Sequence, residues 1–146
     1  MMEETIGFTQ LLNLFMDGMV KYVAYFTIAM AFLLAFKWLY NLVTPNNDWE
    51  LIRQQKNVAA AIALAGAALG YSIAIASAAI NTINMIDFAM WGGVAIVAQL
   101  TGFYIVRLLL LPEVDARIEA GDVAAAIILG AMAVATGLLN AACMTF

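Results

Sequence analysis

Residues 57–66 read NVAAAIALAG, and residues 122–131 read DVAAAIILGA. Six of the first eight positions are identical at a constant offset of 65. Both phrases open runs long enough to cross a bilayer. Val58 to Ile80 is 23 residues without a charge, and Val123 to Phe146 is 24. A hydrocarbon core of about 30 Å needs about 20 apolar residues in a helix. The repeated phrase therefore marks the start of a membrane span, twice.

Composition agrees. The chain is 66% hydrophobic and 11% charged, with a mean hydropathy of +0.96. A water-soluble domain carries about a quarter charged residues. Lipid is thus the expected solvent and the bilayer the first partner. The net charge of −4 comes from acids in short connecting segments, and there is no basic patch for nucleic acid. Histidine is absent, which removes imidazole-ligated haem, most zinc sites and the usual proton shuttle. The one cysteine, Cys143, reads as a small residue packed in a helix. No cofactor, no metal and no catalytic constellation are expected, so the reading is of a protein that is not an enzyme. The start, MMEETIGFTQ, lacks a signal peptide's basic n-region and cleavage site, so the first span is expected to be retained.

Two more spans complete the set. Phe88 to Val106 is uncharged and closed by Arg107; Val20 to Val43 is charged only at Lys21, at its very start, and at Lys37, near its end. A long lysine side chain there can reach the headgroups. Pro45 and Pro112 follow the first and third spans. Each opens a short polar stretch that ends at Asn57 or Asp122, residues suited to cap the helix that follows. The expected fold is all-α: four transmembrane helices built as two tandem two-helix units, 20–80 and 87–146, after an amphipathic segment, 1–19. Two crossings per unit leave the units parallel, related by a pseudo-twofold axis along the membrane normal. The 1–19 segment reads as a helix lying on the surface or running into the first span.

Five of the six basic residues, Lys37, Arg53, Lys56, Arg107 and Arg117, flank the two proline-marked connections. Positive residues stay in the cytoplasm, so both termini are expected outside. Trp38, Tyr40 and Trp49 then mark the inner interface, and Tyr22, Tyr25 and Trp91 the outer one. Asp87 reads as the N-cap of the third span.

Small residues form stripes along the repeated helices. Ala126, Gly130, Ala133, Gly137 and Ala141 have small counterparts at Ala61, Ala65, Ala68, Ser72 and Ala76. The second span carries a further stripe, Ala59, Ala63, Gly66, Gly70, Ala74 and Ser77, whose counterparts in the fourth span are interrupted by Ile128 and Leu139. Such faces let backbones approach closely in lipid, within a subunit or between subunits. The surplus stripe is expected to meet a neighbouring subunit. Gln99, Tyr71, Ser72 and Thr136 lie at similar depth, with Asn140 further out. They form a candidate midplane polar layer, either a site or pore lining or, as preferred, hydrogen-bond glue between helices. No acid or base lies deep in a span, which disfavours a proton-coupled pump.

The phrase Gly121-Asp122-Val123-Ala124-Ala125-Ala126-Ile127 and the ending Gly137-Leu138-Leu139-Asn140-Ala141-Ala142-Cys143-Met144-Thr145 resemble the YjfL-type family of small bacterial inner-membrane proteins, domain of unknown function number 350. The resemblance spans about Val20 to Phe146. It implies one or two copies of a two-helix unit and residence in the bacterial cytoplasmic membrane. It implies no activity. Lys56 and Ile75 stand where the second copy has Gly121 and Asn140, so the copies are not interchangeable. The expected role is that of a non-catalytic component that self-associates or docks on a larger membrane complex through its small-residue faces. The alternative is a pore or small transporter subunit using the polar layer.

Overall fold

The computed structural model describes residues 7–45, 47–110 and 112–145. Among these residues six α-helices follow in order: α1 (Phe8–Val43), α2 (Asp48–Gln55), α3 (Val58–Asn81), α4 (Met85–Ile105), α5 (Val114–Glu119) and α6 (Val123–Cys143). One π-helical turn, Val106–Leu110, continues α4. Among the described residues α1, α3, α4 and α6 are long and apolar enough to cross a membrane.

Their ends follow from local chemistry. The Asn57 side chain accepts from the Ala60 amide and starts α3; Asp122 accepts from Ala125 and starts α6. Both caps satisfy donors that the first helical turn leaves free. The third span starts earlier than its charge-free run, and its cap is not Asp87. Asn84 is the N-cap, accepting from Ile86 and Asp87, while the Asp87 carboxylate reaches back to accept from Ile83. Asp87 is thus the third helical residue, in a reciprocal arrangement like a capping box. The charge-free run misled because a carboxylate is as much at home in the first turn as at the cap.

The extension before the first span is one helix with it. α1 has 36 residues, so it is about 54 Å long at 1.5 Å per residue. That exceeds the hydrocarbon core by about 20 Å. Side chains from Phe8 to Tyr22 are exposed. Residues 1–6 of the expected N-terminal segment, and Phe146, lie outside the described residues.

α3 is the centre of the bundle. Half of its most apolar stretch is buried, against 6% for α1. It packs along α6 and touches α4, α1 and α2. α1 is fastened to the rest by aromatics: Phe36 stacks on Tyr71 at 4.6 Å, Tyr40 meets Phe103 edge-on at 5.0 Å, and Tyr25 meets Phe88 at 5.3 Å. Offset and edge-on pairs at these separations are favourable beyond their buried area. In lipid, where burial alone drives little, they give α1 a defined seat.

Candidate functional sites: the small-residue seam, the polar layer and the proline end

α3 and α6 run side by side in the same direction. Near one end Asn57 touches Ile118 and Glu119, just before α6; near the other the Ser77 hydroxyl donates to the Ala141 carbonyl at 2.9 Å. Between them the backbones nearly touch. A Cβ on Gly66 would overlap the Cα of Gly130. A Cβ on Gly70 would overlap the Ala133 carbonyl, and one on Gly137 the Gly70 carbonyl. Only hydrogen fits at these positions, so glycine here serves close approach.

This geometry corrects one expectation. Ala59, Ala63, Gly66, Gly70 and Ala74 are buried against the rest of the same chain, and Ser77 is half-buried on α6. The surplus stripe is occupied by α6 and is not free for a neighbouring subunit. The physical reason is that the tightest glycine positions of α3 meet the tightest of α6, which sequence spacing alone did not pair. The face of α3 left towards lipid is the other one: Ala65 and Ala76 are exposed, with Ala61, Ala68 and Ser72 half-buried.

The five polar residues do not converge on one chamber. Gln99, 2% exposed, donates through Nε2 to the Ala133 carbonyl at 2.8 Å, beside Gly70. The Tyr71 hydroxyl donates to the Gly92 carbonyl at 3.1 Å. Ser72 and Thr136 each donate to the carbonyl four residues earlier, Ala68 and Met132. Asn140 lies 3.4 Å from the Ala95 carbonyl, a long contact. Gln99, Tyr71 and Asn140 join helices; Ser72 and Thr136 satisfy themselves locally. The Gln99 Oε1 is buried with no hydrogen-bond partner among the described residues. Cys143, read as packed, is exposed at the end of α6.

The proline end holds most of the charge chemistry. Arg107, carried by the π turn, pairs with Asp115 and donates to the Val43 carbonyl at 3.2 Å. One guanidinium thus ties the ends of α1 and α4 to the start of α5. Buried Asp48 is pushed up to about 6, first by burial and then by the negative charge of Asp115. Burial also raises Asp115, against the lowering influence of Arg107. Asp122, half-buried, is lowered by the Ala125 amide and by Arg117, whose guanidinium lies 2.6 Å away. Lys37 sits 4.3 Å from the Trp49 ring centre, a cation–π distance. Sequence reasoning missed the Asp48–Asp115–Arg107 cluster, because nothing in the spacing brings α2 and α5 together.

Four apolar helices, a seam of small residues and polar side chains spent on backbone carbonyls define a multi-pass helical membrane protein. The chain belongs to the family described as "Domain of Unknown Function (DUF350)", whose model matches residues 13–144. It is 41% identical over 131 residues to the "UPF0719 inner membrane protein YjfL" of Escherichia coli strain K12, covering 90% of this chain and 98% of that protein. The protein of the same description from Escherichia coli O157:H7 matches to the same extent. No solved structure matches the chain. Inner-membrane residence and membership of an uncharacterised family follow.

Proposed function

We propose that the protein is a non-catalytic component of the inner membrane that self-associates through small-residue helix faces. The observation that carries this reading is the lipid-side face of α3, where Ala65 and Ala76 are exposed and Ala61, Ala68 and Ser72 half-buried, with exposed Leu69 beside them. In lipid such a face associates by close packing. The use of Gln99, Tyr71 and Asn140 to tether helices supports a structural role for the polar layer. In this reading residues 20–80 and 87–146 are two tandem units of parallel orientation after an N-terminal segment, 1–19. The equal offset between the caps Asn57 and Asp122 supports it. Basic residues at the proline end support a cytoplasmic position for that end, with both termini outside.

Native mass spectrometry from mild detergent tests the proposal: discrete oligomers are expected, and a uniform monomer overturns it. One observation favours a second reading, a pore or transporter subunit. The buried Gln99 Oε1 has no donor among the described residues, and an unsatisfied amide oxygen at mid-membrane is costly unless something visits it. Gln99→Leu separates the two. A structural glutamine predicts little change in thermal stability, since one bond is exchanged for the relief of one orphan acceptor. A pore predicts loss of ion flux in liposomes.

A further inference from the structure

The basic residues at the proline end are not used alike. Arg107 pairs with Asp115, and Arg117 with Asp122. Lys37, Arg53 and Lys56 make no ion pair among the described residues. Lys37 stands about 9 Å before the end of α1 at Val43, at 1.5 Å per residue, and is half-buried. An ammonium below the end of a span needs a counter-charge or a path to the headgroups. What it meets is the Trp49 ring, 4.3 Å from the ring centre. That contact also places α2, which folds back beside α1 at the depth of Lys37 and of exposed Trp38. Tryptophan is enriched at this depth, that of the headgroups.

α2 turns one face inward and one outward. Asp48 and Leu51 are buried, whereas Trp49, Glu50, Arg53 and Gln54 are exposed. With Asn47 these four line a cavity of about 370 Å³. Trp49 and Arg53, four residues apart, are neighbours on the helix. The indole thus carries Lys37 over its ring and borders the cavity together with Arg53. Glu50 is the acid of the lining, and its Oε1 accepts from the Gln54 Nε2 at 3.0 Å. Two cations and one engaged acid leave a positive charge unmatched.

We infer that Lys37, Trp49 and Arg53 form a seat for the phosphate of an anionic phospholipid, in the leaflet at the proline end. One unmatched positive charge suits a phosphodiester whose headgroup carries no cation of its own. A zwitterionic headgroup brings an ammonium, and the one acid of the lining is already bonded to Gln54. The guanidinium offers phosphate a two-pronged hydrogen bond, and the ammonium a point charge. The depth of Lys37 selects a lipid over a soluble phosphate, because a free anion would have to pass below the end of the span to reach it. The site is complete within one chain.

Quenching of Trp49 fluorescence by brominated lipids tests it. Trp38→Phe with Trp91→Phe leaves Trp49 as the only tryptophan. The protein is reconstituted in phosphatidylcholine vesicles holding a small fraction of brominated phosphatidylglycerol, or the same fraction of brominated phosphatidylcholine. A cation at an anionic membrane surface is worth about a fivefold enrichment, so two should let the brominated phosphatidylglycerol quench at a fraction about 25 times lower. Lys37→Gln and Arg53→Gln should each remove about fivefold of this preference at unchanged helix content. Arg53 is exposed, so its variant carries the test even where Lys37→Gln does not insert. Lys56→Gln removes an equally unpaired cation outside the cavity and should leave the preference unchanged. Equal quenching by the two lipids would overturn the inference. So would equal losses in Lys56→Gln and Arg53→Gln, since the attraction would then be diffuse charge and not a seat. Excess inorganic phosphate, compared with chloride at matched ionic strength, should not displace the lipid. Displacement would show that the cavity takes soluble phosphate and that a lipid is not its ligand.

Discussion

The Asn57 side chain donates to the Ile118 carbonyl at 2.8 Å, 61 residues away, while its own oxygen caps α3 by accepting from Ala60. A second bond reaches the Glu119 carbonyl at 3.2 Å. One buried amide therefore starts a helix of the first half and satisfies the carbonyl end of α5 in the second. Its counterpart Asp122 caps α6 in the same manner but faces the Arg117 guanidinium. The difference between Asn and Asp at offset 65 follows: one site needs a donor and the other a charge. Asn57→Asp should lose both bonds and aim a carboxylate at two carbonyls. A loss of about 2–3 kcal/mol is expected. It should be larger at pH 8 than at pH 5, because the buried acid can protonate at the lower pH and recover a donor. Asp122→Asn keeps the cap and gives up only an exposed ion pair, so its effect should be small and fade in salt. Equal losses in the two variants, by unfolding titration in detergent, would refute the distinction.

A second prediction concerns the residues just before these caps. Lys56 has φ 52° and Gly121 has φ 82°, and both end short helices. At Gly121 the backbone closes as a Schellman motif, with Gly121 donating to Ile118 and Asp122 to Arg117. Glycine takes this left-handed conformation freely, whereas a side chain costs about 1 kcal/mol. Lys56→Gly should raise stability by about that amount, and Gly121→Ala should lower it similarly. Lys56→Ala serves as control and should show no gain, since alanine keeps the same steric conflict. Melting curves in a single detergent would suffice, and a gain for Lys56→Ala equal to that for Lys56→Gly would contradict the account.

The spans, and the caps at Asn57 and Asp122, were legible because lipid leaves few choices. Runs of 23 and 24 uncharged residues must be helical to satisfy their own backbones. Asn57 and Asp122 announce their helices by position. What the sequence did not specify is which stripe faces which helix. Gly66 and Gly70 could pack on any backbone, and only the pairing with Gly130, Ala133 and Gly137 settles it. The contact of Asp48 with the charge of Asp115 was equally hidden, since it depends on how two short helices fold back at the proline end. Tyr71 was legible as polar at mid-depth, but its partner, the Gly92 carbonyl, lies on a helix that spacing does not place beside it.

Asp48 makes a pH prediction. Its ordinary value of 3.8 is raised to about 6 in the fold, by burial and then by Asp115. The folded state therefore holds a proton that the unfolded state has released between these values. The contribution is present in full below about pH 4 and is lost as pH rises through 6. At pH 7.5 the charged, buried carboxylate should cost about 2–3 kcal/mol. Asp48→Asn should remove that cost, raising stability at pH 7.5 and changing little at pH 4. A stabilisation that is equal at both pH values would show that the carboxylate does not titrate in this range.

Gly70 gives the most direct test of the internal seam. Its missing side chain leaves room for the Ala133 carbonyl and for the Gln99 amide nitrogen, 2.5 Å from where a Cβ would stand. Even Gly70→Ala must push α3 from α6 and disturb the Gln99–Ala133 bond. Overpacking of this kind costs about 1–3 kcal/mol when one or two atoms are added. Gly70→Ile adds four carbons against rigid backbone and should not assemble the bundle at all, so degraded or misfolded protein is expected in membranes. Gly93 is the matched control, because nothing lies within 4 Å of its own Cβ position and it stands, like Gly70, inside a span. Gly93→Ala should be tolerated, since alanine is the better helix former by about 1 kcal/mol. Membrane levels and melting temperatures of the three variants should rank Gly93→Ala first, Gly70→Ala second and Gly70→Ile last. A folded, membrane-inserted Gly70→Ile protein of reduced subunit count would mean that this face serves neighbouring chains, contrary to the seam described here.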